Sequence, residues 1–321
     1  MKPDISIIIP AYNVERYVKA AVESALAQQF VKVEVIVVND GSSDSTASVL
    51  ATLVSDPRVT VISQGNTGPS VSRNAGIARS QGRYIGFLDA DDLWDSNKAR
   101  LHVDLLEAES GVDISYSWWR IIDEAGALTQ RTNTKLPKDL SGGLSFEGLI
   151  VENFTGTAST LVCRREAITA VNGFDENLRS NVDLDVLLRM SLLRHNNIAL
   201  VPQILTSYRI HGNQITSNWR RMHENWERVI SKFKAIAPLR VAAIEHVARA
   251  RVTRYFAYLA YCSGDYSDAR RLVAKAWRAA PQSLFRDRRA WLTTAAITAT
   301  FLPAKVHMKL VVGAKHLLGR T

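Results

Sequence analysis

The sequence has few of the residues that mark several protein classes. Only 2 of its 321 residues are cysteines, Cys163 and Cys262. Neither forms a CxxC motif, which disfavours a disulfide scaffold or a zinc site and fits a reducing compartment. Its 17 glycines and 9 prolines are too few for a fibrous or low-complexity chain. Near the N terminus the apolar run at residues 5–9 stops at Pro10, which indicates a buried strand and not a signal peptide.

The remaining composition is that of a globular protein, with 46% hydrophobic and 22% charged residues. The formal net charge is +9, but it is unevenly distributed. Residues 1–218 contain 20 Lys+Arg and 25 Asp+Glu, a net charge of −5, whereas residues 219–321 contain 20 and 6, a net charge of +14. This difference predicts a first domain over residues 1–218 and a basic region over residues 219–321 with a different electrostatic role.

Apolar, β-branched runs alternate with amphipathic segments in the first hundred residues. The strands predicted from these runs cover residues 5–9, 33–38, 59–62 and 84–88. Strands that alternate with helices are typical of a parallel sheet covered by helices on both faces, so the sequence predicts an α/β fold.

The rest of the chain gives weaker patterns. They predict helices at residues 98–109 and 183–193, strands at 114–122 and 155–165, and short extended segments at 198–205 and 207–210. From about Trp219 onward the pattern is helical and includes a helical hairpin over residues 255–281.

Acidic residues follow two of the predicted strands. Asp89, Asp91 and Asp92 come directly after residues 84–88, and Asp40 comes after residues 33–38. Ligands of such sheets bind beyond the C-terminal ends of the strands. Three carboxylates within four residues repel one another, and a hard divalent cation that bridges to phosphate oxygens would compensate their charge. The alternative is an acidic helix N-terminus.

Two further residues at this edge could contact a nucleobase. Asp40 lies in the turn sequence Asn-Asp-Gly-Ser, where its carboxylate could accept a hydrogen bond from a base N–H or form a plain Asx turn. Tyr12 follows the first strand and could stack on a base or pack in the core.

Seven short motifs give the sequence a resemblance to a known family. They are SIIIPAYN (6–13), VNDGSSD (38–44), GPSVSRNAG (68–76), FLDADD (87–92), GFDE (173–176), DLDVLLR (183–189) and YRIH (208–211). In this order they resemble the inverting glycosyltransferases of family 2, over about residues 4–215. The resemblance implies the GT-A fold, a Rossmann-like and mostly parallel sheet covered by helices, here followed by an α-helical C-terminal region.

The resemblance also implies roles for individual residues at the donor site. Pro10, Tyr12, Asp40 and Arg73 would line the pocket for the donor nucleotide, and Asp89 would bind its ribose hydroxyls.

A second group would serve the metal. Asp91 would coordinate Mg²⁺ or Mn²⁺ bound to the donor diphosphate, with Asp92 beside it and His211 close by. From the residues alone, His211 could equally be a solvated turn residue.

Asp183 is the candidate general base that the resemblance implies. The family has a Glu-Asp pair at this point, whereas this chain has Val182-Asp183. Asp183 could also cap the following helix, and Asp185 is the reserve candidate for the base.

The implied chemistry is consistent with the residues present. Transfer from a nucleotide-sugar requires a neutralised diphosphate leaving group and a deprotonated acceptor hydroxyl, which a metal and a carboxylate can provide. One base and an in-line attack would invert the anomeric centre without a covalent nucleophile. A dinucleotide-binding dehydrogenase is rejected, because the first strand is followed by Pro10-Ala-Tyr-Asn and not by GxGxxG. A nucleotidyltransferase and a non-catalytic nucleotide-sugar or nucleic-acid-binding protein remain as alternatives.

The resemblance implies a nucleotide-sugar donor, a glycan or lipid-linked acceptor and a role in polysaccharide biosynthesis of the bacterial type, with no nucleic-acid partner. Residues 303–321 mix lysine and arginine with apolar residues, a composition that suits an anionic membrane surface or a solvated helical face. The predicted location is cytoplasmic, with peripheral binding to the inner face of the plasma membrane.

Overall fold

The chain divides into two compact units. The computed structural model describes residues 2–134, 144–194, 197–212, 214 and 218–302. Unit 1 contains Met1–Phe146 and Phe154–Gly212, and unit 2 contains Glu147–Asn153 and Asn213–Thr321. Unit 2 thus includes a short excursion from the middle of the chain, which the sequence analysis did not single out.

Unit 1 is built on a nine-stranded sheet. Its strands are β1 (Ile5–Ala11), β2 (Val33–Asp40), β3 (Val59–Gln64), β4 (Tyr84–Phe87), β5 (Leu93–Trp94), β6 (Ile114–Ile122), β7 (Leu128–Asn133), β8 (Leu161–Arg164) and β9 (Ile198–Arg209). The strand order is β3-β2-β1-β4-β8-β6-β9-β5, with β7 paired to β6. Strands β1 to β4 pair in parallel, as do β6 and β9, whereas β8 runs antiparallel to both of its neighbours. The predicted α/β class with a mostly parallel sheet is confirmed.

Helices cover this sheet because its central strands are apolar on both faces. Ile7, Ile8 and Ile9 of β1 are fully buried. The helices of unit 1 are α1 (Val18–Leu26), α2 (Thr46–Ala51), α3 (Pro69–Arg79), α4 (Lys98–Ala108), α6 (Arg165–Ala170) and α7 (Val182–Ser191), whereas all of α5 (Phe146–Val151) except its first residue belongs to unit 2. Helix α3 packs closely on β1, since a Cβ at Gly76 would lie 2.4 Å from the Ile8 Cγ2 atom.

Two predicted elements differ from the structure. The predicted strand at residues 155–165 is a 3₁₀ turn (Ala158–Thr160) followed by β8. The two extended segments predicted at 198–205 and 207–210 form one strand, β9, because it pairs with β6 along nearly its whole length across two register shifts.

Between Trp219 and Phe301, unit 2 is helical, as predicted. Its helices are α8 (Trp219–Ile236), α9 (Pro238–Cys262), α10 (Tyr266–Ala279), α11 (Pro281–Phe285) and α12 (Arg288–Thr298), followed by a 3₁₀ turn (Ala299–Phe301). Helices α9 and α10 form the predicted hairpin, and α9 also packs against α8 and α12. Among the residues that the structure describes, no helix combines the length and hydrophobicity needed to cross a bilayer.

Ion pairs hold the excursion Glu147–Asn153 within unit 2. Arg240 Nε donates to Glu147 Oε1 at 2.6 Å, and Arg289 donates to both carboxylate oxygens of Glu152 at 2.5 and 2.8 Å. Burial opposes ionisation of Glu152, but these hydrogen bonds and the neighbouring arginines outweigh it, so its pKa is lowered. Leu149 and Ile150 of the excursion are also buried.

Candidate active site

The candidate site residues gather at one edge of the sheet in unit 1. β1, β2 and β4 run in parallel and in register, with Ile8 opposite both Ile36 and Phe87. Their C-terminal ends therefore meet at the same edge. Tyr12 lies directly after β1 and Asp40 ends β2, whereas the acidic cluster begins two residues after β4.

Asp40 is the most firmly held of these carboxylates. Its Oδ1 accepts hydrogen bonds from Gln64 Nε2 (2.9 Å), Thr67 N (2.9 Å) and Thr67 Oγ1 (3.1 Å), and its Oδ2 accepts one from Gly68 N (2.7 Å). Burial raises the pKa of this carboxyl, but the four donors outweigh burial and leave the pKa below its ordinary value. Asp40 is therefore a charged acceptor at the start of α3, and Oδ2 keeps a lone pair for a further donor.

Asp89 and Arg73 form an ion pair. Arg73 Nη2 donates to Asp89 Oδ1, and Thr157 Oγ1 donates to Asp89 Oδ2 at 3.1 Å. The Arg73 side chain is nearly buried, and its guanidinium lies 5.3 Å from the ring centre of Phe174. Because both Asp89 oxygens have fixed partners, the orientation of this carboxylate is set before any ligand binds.

Asp91 and His211 come together although 120 positions separate them. His211 Nε2 lies 2.9 Å from Asp91 Oδ2. Both side chains are partly exposed, with 22% of Asp91 and 9% of His211 accessible. The backbone of Asp91 is also fixed, since its carbonyl accepts a hydrogen bond from Arg209 Nε at 2.8 Å. The two residues thus present an oxygen and a nitrogen ligand to the same accessible position.

Asp92 points in the opposite direction, into the protein. Its side chain is fully buried, with Oδ2 accepting from Ser159 Oγ at 2.6 Å and Oδ1 accepting from Arg209 N at 2.9 Å. Burial, and then the charges of Asp91 and Asp89, raise the pKa of this carboxyl well above its ordinary value. These contacts tie the acidic cluster to β9 and to the 3₁₀ turn.

Further hydrogen bonds hold the 3₁₀ turn in place. Ser159 Oγ accepts a hydrogen bond from Asp89 N at 2.9 Å. The Lys98 Nζ atom, fully buried at the start of α4, donates to Thr160 O (3.0 Å) and Ser117 Oγ (2.9 Å). Burial lowers the pKa of Lys98 well below its ordinary value. A buried polar network therefore supports the turn that orients Asp89 and Asp92.

A second set of side chains surrounds His211. The rings of Tyr17 and His211 are 4.9 Å apart, and the Arg209 guanidinium lies 5.0 Å from the Tyr17 ring centre. The Tyr17 hydroxyl donates to Glu124 Oε1 at 3.2 Å, and burial raises the pKa of this phenol. No sequence pattern predicted five residues that lie at the site, namely Tyr17, Glu124, Thr157, Ser159 and Arg209. Arg209 lies within the YRIH motif, which was a signal available in the sequence.

The two candidate bases lie in different environments on α7. Asp183 is in the first turn and is half-buried. Asp185 is fully buried, and its Oδ2 accepts from Arg189 Nε at 2.8 Å, one turn along the helix. The Asp183 side chain is therefore partly accessible to solvent, whereas the Asp185 side chain is not.

The loop that leads to α7 is fastened to α3. The side chain of Asn74 donates to Phe174 O (2.9 Å) and accepts from Phe174 N (2.8 Å). Ser70 Oγ donates to Leu178 O at 3.1 Å. Helix α3 also carries Arg73, which pairs with Asp89. The same helix therefore positions both the Asp89 carboxylate and the loop that leads to Asp183.

Pro10 and Tyr12 lie at the end of β1. Pro10 belongs to the strand and is half-buried. Tyr12 is 47% exposed, so its side chain is not a core residue and is available for stacking.

The donor set fits a small divalent cation that is also held by a substrate. Within the described part of the chain, no three His, Cys, Asp or Glu side chains form a group that could bind a metal by themselves. Mg²⁺ is commonly held by one or two protein ligands together with substrate phosphates and water. Asp91 Oδ2 and His211 Nε2, 2.9 Å apart, match that arrangement, whereas the oxygens of Asp92 are already bonded inside the protein.

Comparison with known proteins gives consistent results. Residues 6–168 match the model of glycosyl transferase family 2. The chain is 34% identical over 215 residues to an uncharacterised glycosyltransferase of Rickettsia bellii, covering 66% of this chain and 29% of that protein. It is 29% identical over 231 residues to the putative teichuronic acid biosynthesis glycosyltransferase TuaG of Bacillus subtilis, covering 70% of this chain and 86% of TuaG. The chain thus spans only about a third of the length of several relatives, the Rickettsia bellii protein among them.

Solved structures show the same fold at low sequence identity. S. aureus TarS 1-349 in complex with UDP-GlcNAc superimposes with a TM-score of 0.63 at 18% identity, covering 87% of this chain and 81% of that one. The mannosyltransferase PcManGT of Pyrobaculum calidifontis, in complex with GDP-Man and Mn²⁺, gives 0.61 at 18% identity, covering 100% and 86%. These likenesses confirm the predicted GT-A architecture.

Proposed function

The chain belongs to glycosyltransferase family 2, whose model matches half of its length, and we propose that it transfers a sugar from a nucleotide-diphosphate sugar to a hydroxyl of a glycan or lipid-linked acceptor. One observation carries the proposal. Three carboxylates at a single sheet edge are held in three distinct ways: Asp40 by backbone donors, Asp89 by Arg73, and Asp91 beside His211. The arrangement suits the nucleobase of the donor at Asp40, its ribose at Asp89 and its diphosphate at Asp91.

The nucleoside end of the donor is assigned to Asp40, Tyr12 and Pro10. The free lone pair of Asp40 Oδ2 can accept a hydrogen bond from a base N–H, and the exposed Tyr12 ring offers a stacking surface. Arg73 and Asp89 follow along the same edge, where the fixed Asp89 carboxylate can accept from ribose hydroxyls. That TarS and PcManGT have been crystallised with UDP-GlcNAc and GDP-Man supports a nucleotide-sugar donor for this fold.

Asp91 and His211 would hold Mg²⁺ or Mn²⁺ against the diphosphate. Such an ion, when bound, stabilises the negative charge that develops on the leaving nucleotide. Asp92 directly follows Asp91 in the sequence, and its hydrogen bonds with Ser159 and Arg209 hold the backbone that presents Asp91.

Asp183 is the proposed general base. It is accessible in the first turn of α7, and it would remove the proton of the acceptor hydroxyl as that oxygen attacks the anomeric carbon. Attack from the side opposite the leaving diphosphate inverts the anomeric centre in a single displacement. Asp185, buried and paired with Arg189, supports the base instead by fixing the helix.

Paired substitutions on α7 and at the metal site test this function. In a screen of nucleotide-sugars with Mn²⁺, the wild type should hydrolyse or transfer one donor class. Asp183→Asn should lower kcat by about 10²–10⁴-fold with little change in donor affinity. Asp91→Ala should remove the Mn²⁺ dependence of nucleotide binding. Asp104→Asn, which makes the same carboxylate-to-amide change at an exposed position of α4, is the control. Full activity of Asp183→Asn would contradict the base assignment.

For its location, we propose that the chain acts on the cytoplasmic side, bound peripherally to the inner face of the plasma membrane. The net charge of +14 over residues 219–321 supports attraction to anionic lipid. A lipid-linked acceptor would then be reached at the membrane surface.

A further inference from the structure

Large apolar side chains lie exposed at the C-terminal end of unit 2. Phe285 at the end of α11 is 68% exposed, Trp291 on α12 is 47% exposed, and Phe301 and Leu302 just beyond α12 are 70% and 46% exposed. We name these four residues the apolar patch. The Trp291 ring contacts Phe285 (5.2 Å between ring centres) and Trp277 of α10 (5.1 Å), and Phe301 lies against Arg270 of the same helix. Exposed side chains of this size in one region mark an interaction surface.

Basic side chains flank the apolar patch. Helix α10 packs beside α12 through Trp277, which donates to Thr294 Oγ1 at 2.8 Å, and through Arg270, whose guanidinium lies 4.4 Å from the Phe301 ring centre. Arg278 is exposed on α10 beside Trp277, Arg286 is exposed just after α11, and Arg288 is exposed at the first position of α12. We name these three residues the basic row.

In the part of the chain that the structure describes, no carboxylate forms an ion pair with any of these three residues, in contrast to Arg271, which pairs with Asp268 at 2.9 Å. The chain that follows, residues 303–321, contains four Lys+Arg and no Asp or Glu, so its sequence supplies no neutralising charge. Charge complementarity therefore favours an anionic partner over the remainder of this chain.

The combination identifies the class of that partner. Tryptophan and phenylalanine between lysines and arginines are typical of surfaces that lie in the headgroup region of a membrane. Nucleic acid would satisfy the basic row but would leave Phe301 and Leu302 exposed to water.

We propose that the apolar patch and the basic row together form the docking face by which this protein binds an anionic lipid surface. The proposal rests on the membrane association suggested above and assigns it to the α10–α12 face rather than to the net charge of the region. The apolar patch inserts among the headgroups while the basic row contacts lipid phosphates and carboxylates.

Vesicle co-sedimentation of the full chain tests the docking face. The probes are vesicles of 30% phosphatidylserine in phosphatidylcholine and vesicles of phosphatidylcholine alone. We expect binding to the anionic vesicles at low salt, loss of binding at 0.5 M NaCl, and a blue shift of tryptophan emission. Each basic residue near such a surface contributes about fivefold to binding. Arg286→Gln with Arg288→Gln should therefore weaken it by about 20- to 30-fold.

A charge-matched variant separates this face from net charge. Lys2→Gln with Arg79→Gln removes the same two charges from exposed positions in unit 1 and should weaken binding by less than about twofold. Phe285→Ser with Phe301→Ser keeps the charge unchanged and should weaken binding by about tenfold, with circular dichroism confirming the fold.

Three results would overturn the proposal. These are equal binding to neutral and anionic vesicles, equal losses in the two charge variants, or absence of vesicle binding together with a dimer that Phe285→Ser disrupts. Binding of the nucleotide to the same preparations, followed by fluorescence, reports on the donor site independently. A failure of the docking face therefore leaves the proposed glycosyl transfer untouched, and the reverse also holds.

Discussion

Replacing Asp40 by asparagine exchanges one carboxylate oxygen for an NH₂ group where both oxygens already accept hydrogen bonds. If the NH₂ group takes the Oδ2 position, it faces the Gly68 N–H, now 2.7 Å from Oδ2. If it takes the Oδ1 position, it faces the Thr67 N–H and the Gln64 amide. In either orientation a buried backbone donor loses its acceptor.

The cost follows from these contacts. A buried donor left without a partner costs about 1–3 kcal/mol, and the remaining hydrogen bonds lose the charge that strengthened them, about 1 kcal/mol more. We therefore expect Asp40→Asn to reduce the free energy of unfolding of unit 1 by about 2–4 kcal/mol. For a unit of this size, that corresponds to a melting temperature lowered by about 5–12 °C.

The dependence on pH gives a second signature. Hydrogen bonds lower the pKa of the Asp40 carboxyl in the folded protein. The ionised carboxylate therefore contributes its full stabilisation at pH values above the pKa that this carboxyl has in the unfolded chain, about 3.9. This contribution is lost as the pH falls through the lower folded value. The difference in stability between wild type and Asp40→Asn should therefore be largest near neutral pH and shrink in acid.

Calorimetry of the two proteins at several pH values measures both effects, and titration with UDP or GDP measures donor affinity, which should fall by about tenfold or more. Asp56→Asn is the matched control, because Asp56 makes its ion pair with Arg58 at the surface and should change the melting temperature by about 2 °C or less. An Asp40→Asn protein that melts with the wild type at neutral pH would refute the reasoning.

Three other substitutions probe the supports of the site. Ser159→Ala removes the donor to the buried Asp92 and should reduce the free energy of unfolding by about 1–3 kcal/mol in urea titrations, with weaker donor binding. Burial lowers the pKa of Lys98 in the folded protein, whereas in the unfolded chain this side chain takes up a proton as the pH falls below about 10.5. Raising the pH from 7 to 10 should therefore stabilise the wild type, and Lys98→Met should lose stability relative to it over this range. Gly68→Ala places a Cβ at φ 103°, 2.2 Å from Arg179 Nη1, and should cost about 1–3 kcal/mol by the same titration.

The sequence correctly predicted those strands whose own residues favour extended structure. β1, β2 and β6 are dense in β-branched or aromatic residues and were predicted close to their observed bounds. β5 was missed because it has only two residues and is defined by pairing with β9, more than a hundred positions away. The excursion Glu147–Asn153 was missed because its apolar residues resemble those of any helix in unit 1.

The residues of the site also include some that the sequence predicts and others that it does not. Its carboxylates belong to recognisable motifs, but the groups that orient them are serines, threonines and arginines without periodicity, such as Thr157 and Arg209. The choice between Asp183 and Asp185 illustrates the limit. Two positions along a helix differ by about 200° in direction. Only the packing of α7 shows that Asp185 points inward, to Arg189, and Asp183 does not.

The excursion of the chain into unit 2 has a consequence for dissection and for recombination. A gene cut after residue 218 would keep Glu147–Asn153 but remove Arg240 and Arg289, leaving the Glu147 and Glu152 carboxylates without their arginine partners. A single recombination junction therefore cannot add or remove the helical unit as a whole. A transplant of either unit needs two junctions, near Phe146 and Phe154 as well as near Gly212.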